Sequence, residues 1–163
     1  MATTLSVTDM LPNKFEPKRK YRWIFQIEGI DAFLMKSTQR PTFQFDEMRI
    51  DYINAVRYLG GKMTFNEVRV QLHDPIAPSG AQQVMEWIRT HYESVSGRAG
   101  YADFYKRDCQ LKLLDPVGTV VELWDLKGCM IKQANFQDLD YSDTNTPMAI
   151  DMSLRIDNCV LQY

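Results

Sequence analysis

The chain has 163 residues, 45% apolar and 25% charged, a balance that excludes a wholly disordered chain and supplies one ordinary domain with its own core. Its 19 basic and 21 acidic side chains leave a formal charge of −2, which excludes the basic excess needed to grip a phosphate backbone. The three cysteines (Cys109, Cys129, Cys159) are odd in number and widely spaced, so they read as reduced thiols rather than a disulfide framework or a zinc site.

Residues 1–20 are polar and interrupted by Pro12 and Pro17, which predicts an extended arm ordered only by a neighbour. In "YRWIFQIEG", Tyr21, Trp23, Phe25 and Ile27 alternate with Arg22, Ile24, Gln26 and Glu28, the period of a half-buried strand. "AFLMKSTQRP" reads as a second strand running up to Pro41. The alternation then continues through Phe43 and Phe45, and through Met48, Ile50 and Tyr52, before a turn near Ile53-Asn54-Ala55. "VRYL" returns to the pair Gly60-Gly61. The next strand, "TFNEVRVQLHD", sets Phe65, Val68, Val70 and Leu72 against Glu67, Arg69 and Gln71.

One helix is predicted over about residues 79–93. Ser79 and Gln82 have capping-box spacing, and Ala81, Val84, Met85, Ile88 and Tyr92 form an apolar stripe. After a loop marked by Gly97 and Gly100, strands resume with "DCQLKLLD", a "DPVG" turn and "TVVELWDLKGCMIKQANF". In the last strand Ile150, Met152, Leu154 and Ile156 alternate with Asp151, Ser153, Arg155 and Asp157. The sum is a mainly β domain spanning 21–163, a sandwich or barrel of about seven strands with one packed helix.

The chemistry motifs fail. Gly60-Gly61-Lys62 looks like a phosphate loop, but Val56 stands where glycine is needed, Met63 where Ser or Thr is needed, and a strand follows. Asp138, Asp140 and Asp143 lack the glycine and glutamate of a calcium loop, whose places Asp143 and Ala149 hold, so they read as a solvated turn. His73 and His91 form no ligand pair, and no nucleophile motif is present. No catalytic, cofactor or metal site is expected. The first 30 residues hold no apolar run of signal-peptide length, and no stretch approaches a membrane span, so cytoplasmic folding without membrane insertion is expected.

Residues 42–64 are long for a connection and too apolar for water. They read as a projecting hairpin that presents Phe43, Phe45, Met48, Ile50, Tyr52, Ile53, Val56, Tyr58 and Leu59 to a partner, with Pro41, Gly60 and Gly61 bracketing it as hinges; the alternative is a segment folded back onto the domain's own core.

The joint order and spacing of "KYRWIFQIEGI", "MKSTQRP", "GGKMTFNEVRVQLHD", "AQQVMEWIRTH" with its central Trp87, and "VELWDLKGCMIKQANFQDLDYSDTN" resembles the inner tail tube protein of contractile-tailed, myophage-type bacteriophages. The resemblance runs from about residue 15 to the end of the chain. It implies a structural subunit that forms homo-hexameric rings, joined edge to edge into a continuous β-barrel and stacked into a hollow tube. The hairpin and the arm would reach the next ring. The implied partners are the tail sheath, baseplate and tail terminator proteins, with double-stranded DNA in transient passage through the lumen. The implied location is the virion tail, assembled in the host bacterial cytoplasm. The polar sets Glu67, Arg69, Gln71 and Asp151, Ser153, Arg155, Asp157 are the candidates to face the lumen. Related tubes in contractile injection particles and type VI secretion systems share the fold and carry protein cargo. A monomeric binding module is the alternative of another class.

Overall fold

The computed structural model describes Leu11 and residues 14–163, so most of the predicted arm lies outside the described residues. Among these, nine strands form. They are β1 (Trp23–Ile27), β2 (Met35–Thr38), β3 (Phe43–Asp51), β4 (Val56–Phe65), β5 (Val68–His73), β6 (Arg107–Leu114), β7 (Val120–Asn135), β8 (Ala149–Arg155) and β9 (Asn158–Leu161). Helix α1 (Gly80–His91) lies between β5 and β6, where the apolar stripe predicts it. The sequence predicts about seven strands, and the two extra ones have separate causes. The hairpin resolves into two full strands, and the closing segment breaks in two.

The main sheet runs β1-β6-β7-β8-β5-β2, with β9 also on β7. The pairings Met130↔Arg155 and Lys127↔Asn158 keep one register, so β8 and β9 are a single interrupted strand along one edge of β7. The interruption falls opposite Gly128, whose φ of +65° is the left-handed region that glycine tolerates best. Asp157 still donates its N–H to the Lys127 carbonyl at 3.1 Å there. The 16-residue β7 links the two halves of the main sheet: its first part pairs β6 and β9, its last part β8.

The period-two pattern of the sequence becomes the core. Phe25 and Ile27 of β1, Val68, Val70 and Leu72 of β5, Leu111 of β6 and Ile150, Met152 and Leu154 of β8 are buried together. Helix α1 closes this core with Val84 and Trp87, flanked by Ala81 and Ile88. Its cap forms as the spacing predicts, Gln82 N–H donating to Ser79 Oγ at 3.4 Å. The predicted stripe is rotated slightly: Trp87 is buried alongside Val84, whereas Tyr92 falls at the C-cap and stays exposed. In the "DPVG" turn, Asp115 Oδ1 accepts from the N–H groups of Val117, Gly118 and Thr119 at 2.9, 2.7 and 2.8 Å. Cys109, Cys129 and Cys159 are free thiols, the first two fully buried, and burial pushes Cys159 up to about 11.

Among the described residues, strands β3 and β4 pair only with each other, in a separate two-stranded sheet. The turn falls where the sequence places it, with Tyr52 N–H donating to the Ala55 carbonyl at 2.7 Å. The predicted place of Gly60-Gly61 at the end of the hairpin is corrected. Both glycines lie inside β4, which continues to Phe65, so the base of the hairpin is the pair Phe43↔Phe65. The register shifts between Phe45↔Met63 and Glu47↔Gly60, giving β4 one extra residue and the hairpin a bulge. A Cβ on Gly61 would meet the Asp46 carbonyl oxygen at 2.8 Å, while one on Gly60 would meet nothing within 4 Å. Gly61→Ala is therefore expected to weaken the hairpin, and Gly60→Ala to leave it unchanged, as read by the rate of proteolysis within residues 43–65.

Candidate functional site

Three surfaces stand out from the body. The first is the hairpin. Nine and ten residues at about 3.3 Å each make arms of roughly 30 Å. Phe43, Phe45, Met48, Tyr52, Val56, Tyr58 and Leu59 are all exposed, Ile50 is half-buried, and Ile53 at the tip is 100% exposed. The pairs Phe43↔Phe65 and Phe45↔Met63 share one face, and Met48↔Leu59, three residues further along β3, lies on the other. Apolar side chains thus occupy both faces, so packing one face against the body would still leave the other in water. Pro41 is buried where β2 leads into β3.

The second surface is the polar face of β2, β5, β8 and the end of β7. Pairing puts Ser37, Gln71, Asp151 and Asn135 in one cross-strand row, and Arg69, Ser153 and Gln133 in the next. The two rows floor a concavity of 510 Å³. Four of the seven residues nominated from the sequence for such a face, Arg69, Gln71, Asp151 and Ser153, meet here. Glu67 lies beside them, and the Lys132 ammonium donating to it holds its carboxyl below the usual range. Arg155 follows Ser153 and pairs with Met130. Asp157 is elsewhere, in an ion pair with Lys106 at the break between β8 and β9. Sequence reading missed Ser37, Gln133 and Asn135. The alternation Gln133-Ala134-Asn135 was the available signal for the last two.

The third surface is a groove of 620 Å³ between β1 and β2, the two ends of the main sheet. Trp23, Leu111 and Leu113 supply apolar lining, and Lys18, Lys20, Lys36 and Arg40 are among its cationic residues. Beside it sits Glu122, 5% exposed and the one buried charged residue among those described. Lys18 and the Trp124 indole donate to its carboxylate, and Arg40 lies 3.5 Å away. Burial pushes this carboxyl up, but the Lys18 and Trp124 hydrogen bonds and the Lys18 and Arg40 charges outweigh it, so its pKa is lowered. A depressed folded-state pKa gives stability that is present above the unfolded value, about 4.3, and lost as pH falls below it. Glu122→Gln is accordingly expected to lower stability at pH 7, with the gap to the parent chain closing as pH falls toward about 3 in denaturant titrations. Lys18 and Glu122 are 104 positions apart, so no sequence spacing announces their pairing.

Among the described residues no group of three or more potential metal ligands occurs, and no helix is long and apolar enough to cross a membrane.

No protein family matches the sequence, and no curated protein does. Solved structures do match the fold. A chain of the anti-feeding prophage cap, described as the AFP tube terminating cap, aligns with a TM-score of 0.74 at 16% identity, over 97% of this chain and 99% of that one. A chain of the sheath-tube complex of an extracellular contractile injection system, PVC, in its extended state aligns with a TM-score of 0.63 at 16% identity, over 98% and 99%. A type six secretion system protein aligns with a TM-score of 0.51 at 7% identity, over 86% and 82%. The chain therefore has the fold shared by tube proteins of contractile injection systems.

Proposed function

We propose that this chain is the structural subunit of a contractile tail's inner tube, forming homo-hexameric rings that stack into a hollow conduit inside a sheath. The observation that carries this reading is the hairpin with apolar side chains on both faces and no partner within the described chain. Such a surface is stable in water only when covered, and a neighbouring ring covers it in every copy at once. The sheath, the baseplate and a terminator at the tube's end are the partners of this role. The polar face of β5 and β8 suits a lumen, because its rows carry hydrogen-bonding groups and only one charge of each sign, Arg69 and Asp151. A conduit lined this way lets a polyanion pass without retaining it. In a phage tail the cargo is double-stranded DNA, and the tube is assembled in the host cytoplasm.

A second reading, a tube carrying protein cargo in an injection particle or secretion system, is favoured by the names of the matching structures. Nuclease-protected DNA inside particles built with this chain separates the two.

Electron microscopy of the purified chain is the direct test, with rings and tubes the expected result and a monodisperse monomer at high concentration the refuting one. Tyr52→Asp with Val56→Asp is expected to shorten or abolish the tubes while leaving the subunit's thermal midpoint unchanged, because both residues are exposed on the isolated chain.

A further inference from the structure

Residues 137–148, between β7 and β8, are twelve exposed residues in succession. They contain Asp138, Asp140 and Asp143 and no basic side chain. Two large apolar side chains alternate with the acids: Leu139 is 81% exposed and Tyr141 fully so. The loop is nonetheless shaped. Asp140 Oδ1 accepts from the N–H and hydroxyl of Ser142 at 2.9 and 2.7 Å, and Asp143 Oδ1 accepts from the N–H groups of Asn145 and Thr146, both at 3.2 Å.

The groove between β1 and β2 has the opposite character. Its lining combines Trp23, Leu111 and Leu113 with five cations. Lys18 and Arg40 are committed to Glu122, and Arg19 to Glu16 at 3.2 Å. Lys20 and Lys36 are exposed and form no ion pair among the described residues. The groove also lies between two strands that, among the described residues, each keep one unpaired edge in the main sheet, a setting in which an added segment gains backbone hydrogen bonds as well.

We infer that this groove receives the acidic loop around Asp138–Asp143 of a second copy of the chain, and that this contact joins neighbouring subunits within a ring. The pairing matches acid to base, and Leu139 and Tyr141 to the apolar lining. It is also head-to-tail. The loop joins β7 to β8 and the groove lies between β1 and β2, two different patches of one subunit, and ring closure demands two different patches. The inference rests on the tube reading, and it names the contact within a ring, whereas the hairpin serves between rings.

Charge reversal in the full chain tests it. Lys20→Glu with Lys36→Glu makes a groove variant, and Asp138→Lys with Asp140→Lys makes a loop variant. Each alone sets like charges against each other and is expected to lower the ring and tube fraction at least about tenfold, read by sedimentation and negative-stain microscopy. Mixed one to one, the two restore opposite charges at every contact, and assembly is expected to return as alternating rings. Circular dichroism melts show that each variant is folded. If both variants assemble alone like the parent chain, or if the mixture of folded variants fails to assemble, the inference falls while parent tubes keep the tube reading intact. A parent chain that remains monomeric overturns both. If the groove variant assembles normally but loses binding to a labelled 30-base-pair DNA, the groove is a polyanion site and the inference is overturned.

Discussion

Replacing residues 44–64 with an Asn-Gly turn is expected to abolish tubes while the subunit still folds. Phe43 and Phe65 are directly opposed across the ladder, so a two-residue turn can join them without moving either end. Neither the buried core nor the partly buried side chains packed against it include any residue of 44–64. The change in unfolding free energy should therefore stay within about 1 kcal/mol, the scale of surface substitutions. The loss in assembly is of another order, because the deletion removes the apolar pairs of both hairpin faces. Microscopy and sedimentation of the variant check the loss, and a denaturant titration checks the fold. Tubes of parental length would show that the hairpin is not the stacking contact.

Trp87→Ala is expected to have the largest effect on the subunit itself. The indole is 1% exposed and belongs to the core cluster, and its Nε1–H donates to the Tyr105 carbonyl at 2.6 Å. The Arg107 guanidinium lies 4.9 Å from the ring centroid, a cation–π distance. Truncation opens a large cavity and orphans the Tyr105 carbonyl, so a loss of about 3–5 kcal/mol follows. For a chain of this length that corresponds to a fall in thermal midpoint of roughly 6–20 °C. Trp87→Phe keeps most of the volume and loses the hydrogen bond, so it should cost clearly less. Comparing the two by calorimetry separates packing from hydrogen bonding. The same residue anchors the helical turn Ala102–Tyr105 to α1, so proteolysis near residue 105 should rise in the alanine variant.

The strands were legible because their burial is one-sided. Where β5 and β8 alternate between core and polar face, the period of two appears in the sequence without ambiguity, and the buried set follows from it. The helix was legible from its cap and stripe, although a stripe read by spacing alone underweighted Trp87, whose bulk decides which turn faces inward. The hairpin's exposure was legible from its length and apolar content. Its bulge was not, because a register shift depends on the close approach of Gly61 to the Asp46 carbonyl, and a glycine pair looks the same at the end of a strand as in its middle. Contacts between distant segments were invisible for the same reason. Glu122 reads as one more polar residue of an alternating strand until Lys18 and Arg40 are brought to it.

The sheet's pairing order also fixes a schedule for folding. Strand β1 pairs with β6, so Ile27 must find Cys109, and β5 must wait for β8. Such non-local pairing places the body among domains that take milliseconds to seconds to fold. The hairpin needs only its own two neighbouring strands and closes in about 1–10 microseconds. A newly made chain therefore samples this apolar hairpin while its body is still unfinished. Apolar surface exposed at that stage is what favours aggregation over completion of the fold.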